Sequence, residues 1–280
     1  MAAAPAERPE VRKAEDTPPE RPELWFRAGR ALLHYPAAFF GGIGDLALMT
    51  LRVLGWTVRP PYRFRLLLQG MNFIGVGSLF IVALTALTAG MVLGLQAVYS
   101  MRIFNAESAV GGAVALTLTR ELSPVFTALM ITARSSSAIA TELGTMRVTD
   151  QIDALATMGV NPVQYLIVPR VLAGTIMTPI LCHLFTFIGM AGCYLVAVVW
   201  MDVDPGQFMD KVGRWIGPGD FIQSTIKALV FGTLTILIAC QQGYSAKGGA
   251  AGVGQATTQA VVIGSVTIMI CDYFLTAAMI

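Results

Sequence analysis

Charge is what this sequence is shortest of. Asp, Glu, Lys and Arg make up 13% of its 280 residues, where a soluble domain carries about 25%. The net charge of +2 is small and the basic residues are scattered, which excludes a nucleic-acid binder. Histidine occurs twice and cysteine four times. Cys182, Cys193, Cys240 and Cys271 all lie in apolar segments without metal-ligand spacing, so they read as packing residues, not as disulfides or metal ligands. His34 and His183 are isolated and also read as packing residues. No nucleophile–base set is visible. The glycine-rich stretch GGAAGVGQATT (248–258) lacks the Gly-x4-Gly-Lys-Ser/Thr order and a preceding strand. It reads as a flexible loop, and the chain is expected to hold no cofactor, neither ATP nor Mg. An internal repeat is also missing, against the inverted-repeat plan of many secondary transporters.

What is present is apolar. No charged residue occurs from Leu66 to Met101, from Val171 to Met201, from Ala228 to Ala246, or from Gly248 to Cys271. Each run is near or above the roughly 18–20 residues that cross a bilayer. Inside hydrocarbon the backbone must satisfy its own hydrogen bonds, so the runs are expected to be helical. The pattern predicts an all-α integral membrane protein with five spans, near 66–100, 109–140, 165–200, 221–243 and 257–279. The five-span domain occupies 66–280. Residues 1–22 hold five prolines and few large apolar side chains, and are expected to be a disordered tail. Residues 24–57 mix Trp25, Phe26, Phe39, Phe40 and Trp56 with Arg27, Arg30 and Arg52. They are expected to form an amphipathic interfacial helical region.

Ten of the nineteen Lys and Arg residues fall between Arg8 and Arg65. The positive-inside rule then places the N-terminus in the cytoplasm and, after five crossings, the C-terminus outside. The 201–220 stretch, with four Asp, reads as a short polar loop on the outer side.

Between spans two and three lies the half-polar segment ELGTMRVTDQIDALATMGVNP (142–162). Thr149 is placed as an N-cap, with Asp150 and Asp153 in the first turns, where the helix dipole favours negative charge. Gly159 is placed as the C′ residue, and Asn161-Pro162 as the stop. Val148, Ile152, Leu155, Ala156 and Gly159 share one face. A short cytoplasmic helix over 149–159 follows, either folded onto its own bundle or seated in a partner's groove.

The block TRELSPVFTALMITARSSSAIATELGTMRVTDQIDALATMGVNPVQYLIVPRVLAG (119–174) resembles the signature region of the MlaE/YrbE permeases of MCE-type ABC transporters. GMVLGLQ (90–96) and GYSAKGGAAGVGQATTQAVV (243–262) resemble the same family in the same order. The resemblance implies a homodimer in a bacterial inner membrane, moving phospholipid or similar apolar molecules. It also implies a cytoplasmic ABC ATPase that supplies ATP hydrolysis, a periplasmic ring of MCE-domain proteins, and a possible small STAS-type regulatory subunit. The ATPase would grip the helix between spans two and three through Thr149, Asp150, Ile152, Asp153, Leu155 and Met158.

Ionisable groups at membrane depth are expensive unless paired or wetted. Arg120 and Glu121 are therefore the sharpest candidates: Glu121 is expected to face a hydrated dimer cavity and Arg120 an adjacent helix, an ion pair holding the bundle being the other reading. Lys227 and Asp272 are expected near the outer ends of spans four and five. Lys227 could meet a lipid phosphate or snorkel to the interface. Leu87, Met91 and Leu95 on the first span are cavity candidates. The small-residue patterns GMVLG (90–94) and ARSSSAIA (133–140) are expected to allow close helix approach. An autonomous proton-coupled carrier using Glu121, Arg120 and Asp272, or a structural anchor for an envelope complex, are the alternative functions.

Overall fold

The computed structural model describes residue 42 and residues 44–57, 59–60 and 63–279. The expected tail at 1–22 and most of the expected interfacial region lie outside these. The described residues are helical, with no strand among them. Five helices are long and apolar enough to cross a membrane: α2 (Phe64–Arg102), α3 (Glu107–Val148), α5 (Val163–Trp200), α7 (Pro218–Tyr244) and α8 (Gly249–Met279). Three shorter helices complete the order: α1 (44–57), α4 (Gln151–Thr157) and α6 (Pro205–Trp215). Residues from Asp45 onward pack as one unit.

The five spans are those expected from the sequence, with longer ends; four follow charge-free runs, and α3 carries Arg120, Glu121 and Arg134 within it. At 1.5 Å per residue, α2 is about 58 Å long, nearly twice the hydrocarbon thickness of about 30 Å. It must tilt or protrude. The glycine-rich stretch 248–258 proves to be helix and not a loop: Gly248 and Gly249 take φ of +89° and +65°, completing the turn out of α7 so that α8 starts at once. The 201–220 stretch is likewise more than a polar loop. Asp204 accepts the Gln207 N–H at 2.7 Å and Pro205 opens α6. The helix buries Phe208 against the start of α3, where Gly111 and Gly112 leave room for it and for Trp215. The sharp joints at Asn105, Asp150 and Asp202 all have φ between +52° and +57°, a left-handed conformation that Asn and Asp tolerate better than other side chains.

α1 packs on the bundle through Met49 and Val53 and exposes Leu48, Leu51 and Leu54.

In lipid, helices gain little by burying apolar surface against each other, so close packing carries more of the association. Gly90 of α2 lies against the backbone of Gly189 in α5, and Gly94 against Cys193. Gly174 faces Gly232 and Ile236 across α5 and α7, and Gly243 meets Ala140. Cys182, Cys193 and Cys240 are buried packing residues. Both small-residue patterns thus serve helix contact.

Periodicity gave no sign of five π-helical turns: Asn72–Val76, Leu118–Leu122, Thr132–Ser136, Val163–Ile167 and Leu195–Trp200. Such turns loosen the backbone ladder and often mark functional positions. One is clamped: Arg134 Nη1 donates to the Phe73 carbonyl at 2.8 Å and to Ser78 Oγ at 3.1 Å, and the absence of a side chain at Gly77 leaves space for the guanidinium.

Gly90→Ala is expected to cost about 1–3 kcal/mol through overpacking, read as a lower thermal unfolding midpoint in detergent. Gly254→Ala, at a helical position with nothing within 4 Å, should be neutral or stabilising.

Candidate functional site

The ionisable residues of α3, α7 and α8 converge on one ammonium. The Lys227 side chain is 0% exposed. Its Nζ donates to Glu121 Oε2 at 2.6 Å, to Thr276 Oγ1 at 2.7 Å and to the Arg120 carbonyl at 3.2 Å. An ammonium has three N–H groups, and these acceptors use all of them. Asp272 Oδ1 lies 3.1 Å from Nζ and is the second carboxylate of the cluster.

The Arg120 carbonyl is available for a local reason. Pro124, four residues on, has no N–H with which to close the α-helical bond. The π-helical turn Leu118–Leu122 spans the same place. The orphaned carbonyl must find another donor, and Lys227 supplies it.

Arg120 points elsewhere. Its Nε donates to Asp220 Oδ1 at 2.6 Å. Asp220 also accepts the Gly217 N–H at 2.8 Å through Oδ2, holding the first turn of α7. Asp220 and Lys227 are seven residues apart on one helix and so share a face. Adjacent Arg120 and Glu121 diverge by about 100°, yet each meets an opposite charge on α7. The expected contact of Arg120 with a neighbouring helix is present. Glu121 turns into the bundle toward Lys227, with its side chain 36% exposed.

Lys227 requires a correction. It does not snorkel: its side chain is wholly buried within the bundle. It is about 13 Å along α7 from Pro218, and two carboxylates beside it make burial tolerable. A lysine that reaches headgroups would leave Glu121 and Asp272 without their cation. The signals that could have found this were Pro124 and the acidic partners themselves; Thr276 gave none.

The half-polar segment forms α4, but not with the expected start. Thr149 ends α3, its hydroxyl donating to the Thr145 carbonyl at 2.8 Å. Asp150, at φ +57°, takes the N-cap position with no side-chain cap bond. The expected 149–159 helix shortens to Gln151–Thr157 because α3 continues to Val148 and the chain reverses at Asp150. The stop is as expected. Gly159, at φ +76°, donates to the Ala156 carbonyl at 3.0 Å, and Val160 to the Leu155 carbonyl at 3.1 Å, a Schellman pair. Asn161 Oδ1 then accepts from Val163 N at 3.0 Å and from Gln164 N at 3.3 Å, opening α5.

Ile152 is buried and Leu155 half-buried, so this face holds α4 to the bundle. Ala156 and Gly159, expected on the same face, are exposed. Asp153 pairs with Arg147 at 2.5 Å. Met158 stands 68% exposed, and Ala154 and Thr157 are exposed with it.

Residues 67–278 match the family described as Permease MlaE. A Haemophilus influenzae protein named intermembrane phospholipid transport system permease protein MlaE is 39% identical over 242 residues, 86% of this chain and 93% of its own. A probable ABC transporter permease protein of Rickettsia bellii is 41% identical over 234 residues, 84% of this chain and 90% of its own. The Arabidopsis thaliana chloroplastic protein trigalactosyldiacylglycerol 1 is 37% identical over 229 residues, 82% of this chain and 64% of its own. The chain belongs to the MlaE permease family.

As an MlaE permease it is a multi-pass membrane protein of the ABC transporter permease type. The first-span candidates separate on inspection. Leu87 and Met91 are half-buried where α2 crosses α5, beside Gly192. Leu95 is 38% exposed and lines a cleft of about 340 Å³ with Arg102 and Trp200.

Lys227→Met is expected to cost about 2–4 kcal/mol, because it leaves the half-buried Glu121 and Asp272 carboxylates without their cation. The triple change Lys227→Met, Glu121→Gln, Asp272→Asn should recover most of that loss. Thermal unfolding of the purified variants checks both.

Proposed function

We propose that this MlaE-family permease moves phospholipid between the bacterial inner membrane and the outer envelope, as the membrane subunit of an ABC transporter with a separate ATPase. The match across most of the chain to a relative named for intermembrane phospholipid transport carries this reading. Two copies form the working unit, with the N-terminus cytoplasmic and the C-terminus periplasmic. An MCE-domain ring receives or delivers lipid on the outer side, and a STAS-type subunit regulates the ATPase.

In this reading α4 is the coupling helix. Ile152 and Leu155 anchor it to the bundle, and the joint at Asp150 and the stop at Gly159 define its ends. Met158 enters the ATPase cleft, and Thr149, Asp150 and Asp153 rim it. Closure of the ATPase on nucleotide then pulls on the junction between α3 and α5. Glu121 and Arg120 face the lipid path with their exposed parts, and the Lys227 network holds α3, α7 and α8 in register while the cavity changes shape. Leu87, Met91 and Leu95 line the acyl-chain side.

The test is co-purification and transport with Met158→Asp, a surface change that spares the bundle. The ATPase should be lost from the complex, and ATP-driven lipid transfer should fall at least tenfold at unchanged permease level. Full retention of ATPase and transfer would sink the coupling role. Lipid movement by the lone permease under a proton gradient would instead favour a carrier built on Glu121, Arg120 and Asp272.

A further inference from the structure

Arg59 and Arg63, at the Phe64 end of α2, have no part in the proposed lipid path or in α4. Neither has a carboxylate within ion-pair distance among the described residues. Arg170, close by, differs: it is paired with Glu142 at 2.7 Å.

The two guanidiniums are held in place. Arg59 lies over the Trp56 ring, 5.5 Å from its centroid, and its carbonyl accepts Gln164 Nε2 at 3.1 Å. Arg63 stacks on Tyr165 at 4.4 Å, and its carbonyl accepts the N–H groups of Leu66 and Leu67 at 3.0 and 3.2 Å. A guanidinium centred over an aromatic ring leaves edge N–H donors available, and these are the groups that recognise phosphate oxygens.

Between them lies a cleft of about 100 Å³ floored by Leu67, Val168, Pro169 and Leu172. That is room for a headgroup and not for acyl chains. Just outside, Phe64 and Leu68 are 69% and 64% exposed, an apolar track along which chains can run. Leu48, Leu51 and Leu54, exposed by 54%, 66% and 60%, give an apolar outer face to α1, whose Trp56 and Thr57 line the same cleft. Cationic rim, apolar floor and apolar exit together describe an amphiphile with a negative head.

We propose that Arg59 and Arg63 form a binding site for the phosphate of an anionic phospholipid in the leaflet at this end of the bundle. The lipid clamps α1 and the start of α2 to α5, next to the connector from α4. It is a bound structural lipid and not cargo, so the site stands whatever the transporter moves.

The test titrates the full-length protein in detergent with dioleoyl phosphatidylglycerol and reads lipid-bound species by native mass spectrometry. Dioleoyl phosphatidylcholine and inorganic phosphate serve as separate arms. The double change Arg59→Gln/Arg63→Gln is expected to weaken phosphatidylglycerol binding about tenfold or more, since each basic residue at an anionic surface contributes appreciably. The charge-matched control Arg52→Gln/Arg65→Gln, exposed and outside the cleft lining, should stay within about twofold. Equal loss in the control means diffuse attraction and overturns the site. So does equal binding of phosphatidylcholine, or displacement of the lipid by inorganic phosphate at like concentration. If the Gln pair fails to fold, Arg59→Lys/Arg63→Lys replaces it: weaker binding supports the stacked guanidiniums, and unchanged affinity overturns them.

Discussion

One buried ammonium ties together three spans of this bundle. Lys227 sits on α7, draws its charge partners from α3 and α8, and closes the gap that Pro124 leaves in the α3 backbone. A lone lysine there would be expelled to the interface or neutralised, and lone carboxylates would fare no better. The groups are tolerable only together. Three spans must therefore reach one arrangement before any of these charges is stable, which makes the cluster a register mark for the fold as well as a candidate for function.

Elsewhere the bundle depends on close approach. Gly90 against Gly189 and Gly243 against Ala140 bring backbones into contact, where dispersion and shape replace the hydrophobic effect as the source of helix affinity. The π-helical turns are the counterpart of this tightness. They loosen α2, α3 and α5 at defined places, and side chains such as Arg134 occupy the carbonyls nearby. Stiff contacts between helices thus alternate with soft points within them.

Much of this was legible in the residues. Hydropathy marked the five spans because a bilayer demands apolar length and self-satisfied backbones, and both are local properties. Gly159 and Asn161-Pro162 marked the end of α4, since a left-handed glycine and a missing N–H act within a few residues. Arg120 and Glu121 stood out because charge at that depth has few tolerable fates. The start of α4 was misplaced by the same local logic: Thr149 is a good N-cap in isolation, but α3 runs up to it and Thr149 caps that helix instead. α6 was legible and passed over: Asp204 before Pro205 is a helix-start signal, and the eleven residues that follow are strongly amphipathic.

The sequence by itself determined the membrane character, the five apolar helices long enough to cross it, and the family. The tertiary structure alone decided which side chains meet. Glu121 and Lys227 are 106 positions apart and Lys227 and Thr276 are 49 apart, distances over which no periodicity carries information. Arg59 and Arg63 likewise look like ordinary interfacial cations until Trp56 and Tyr165 are brought beneath them. Hydropathy and helix stops are set by neighbours along the chain, whereas the neutralisation of a buried charge is set by neighbours in space.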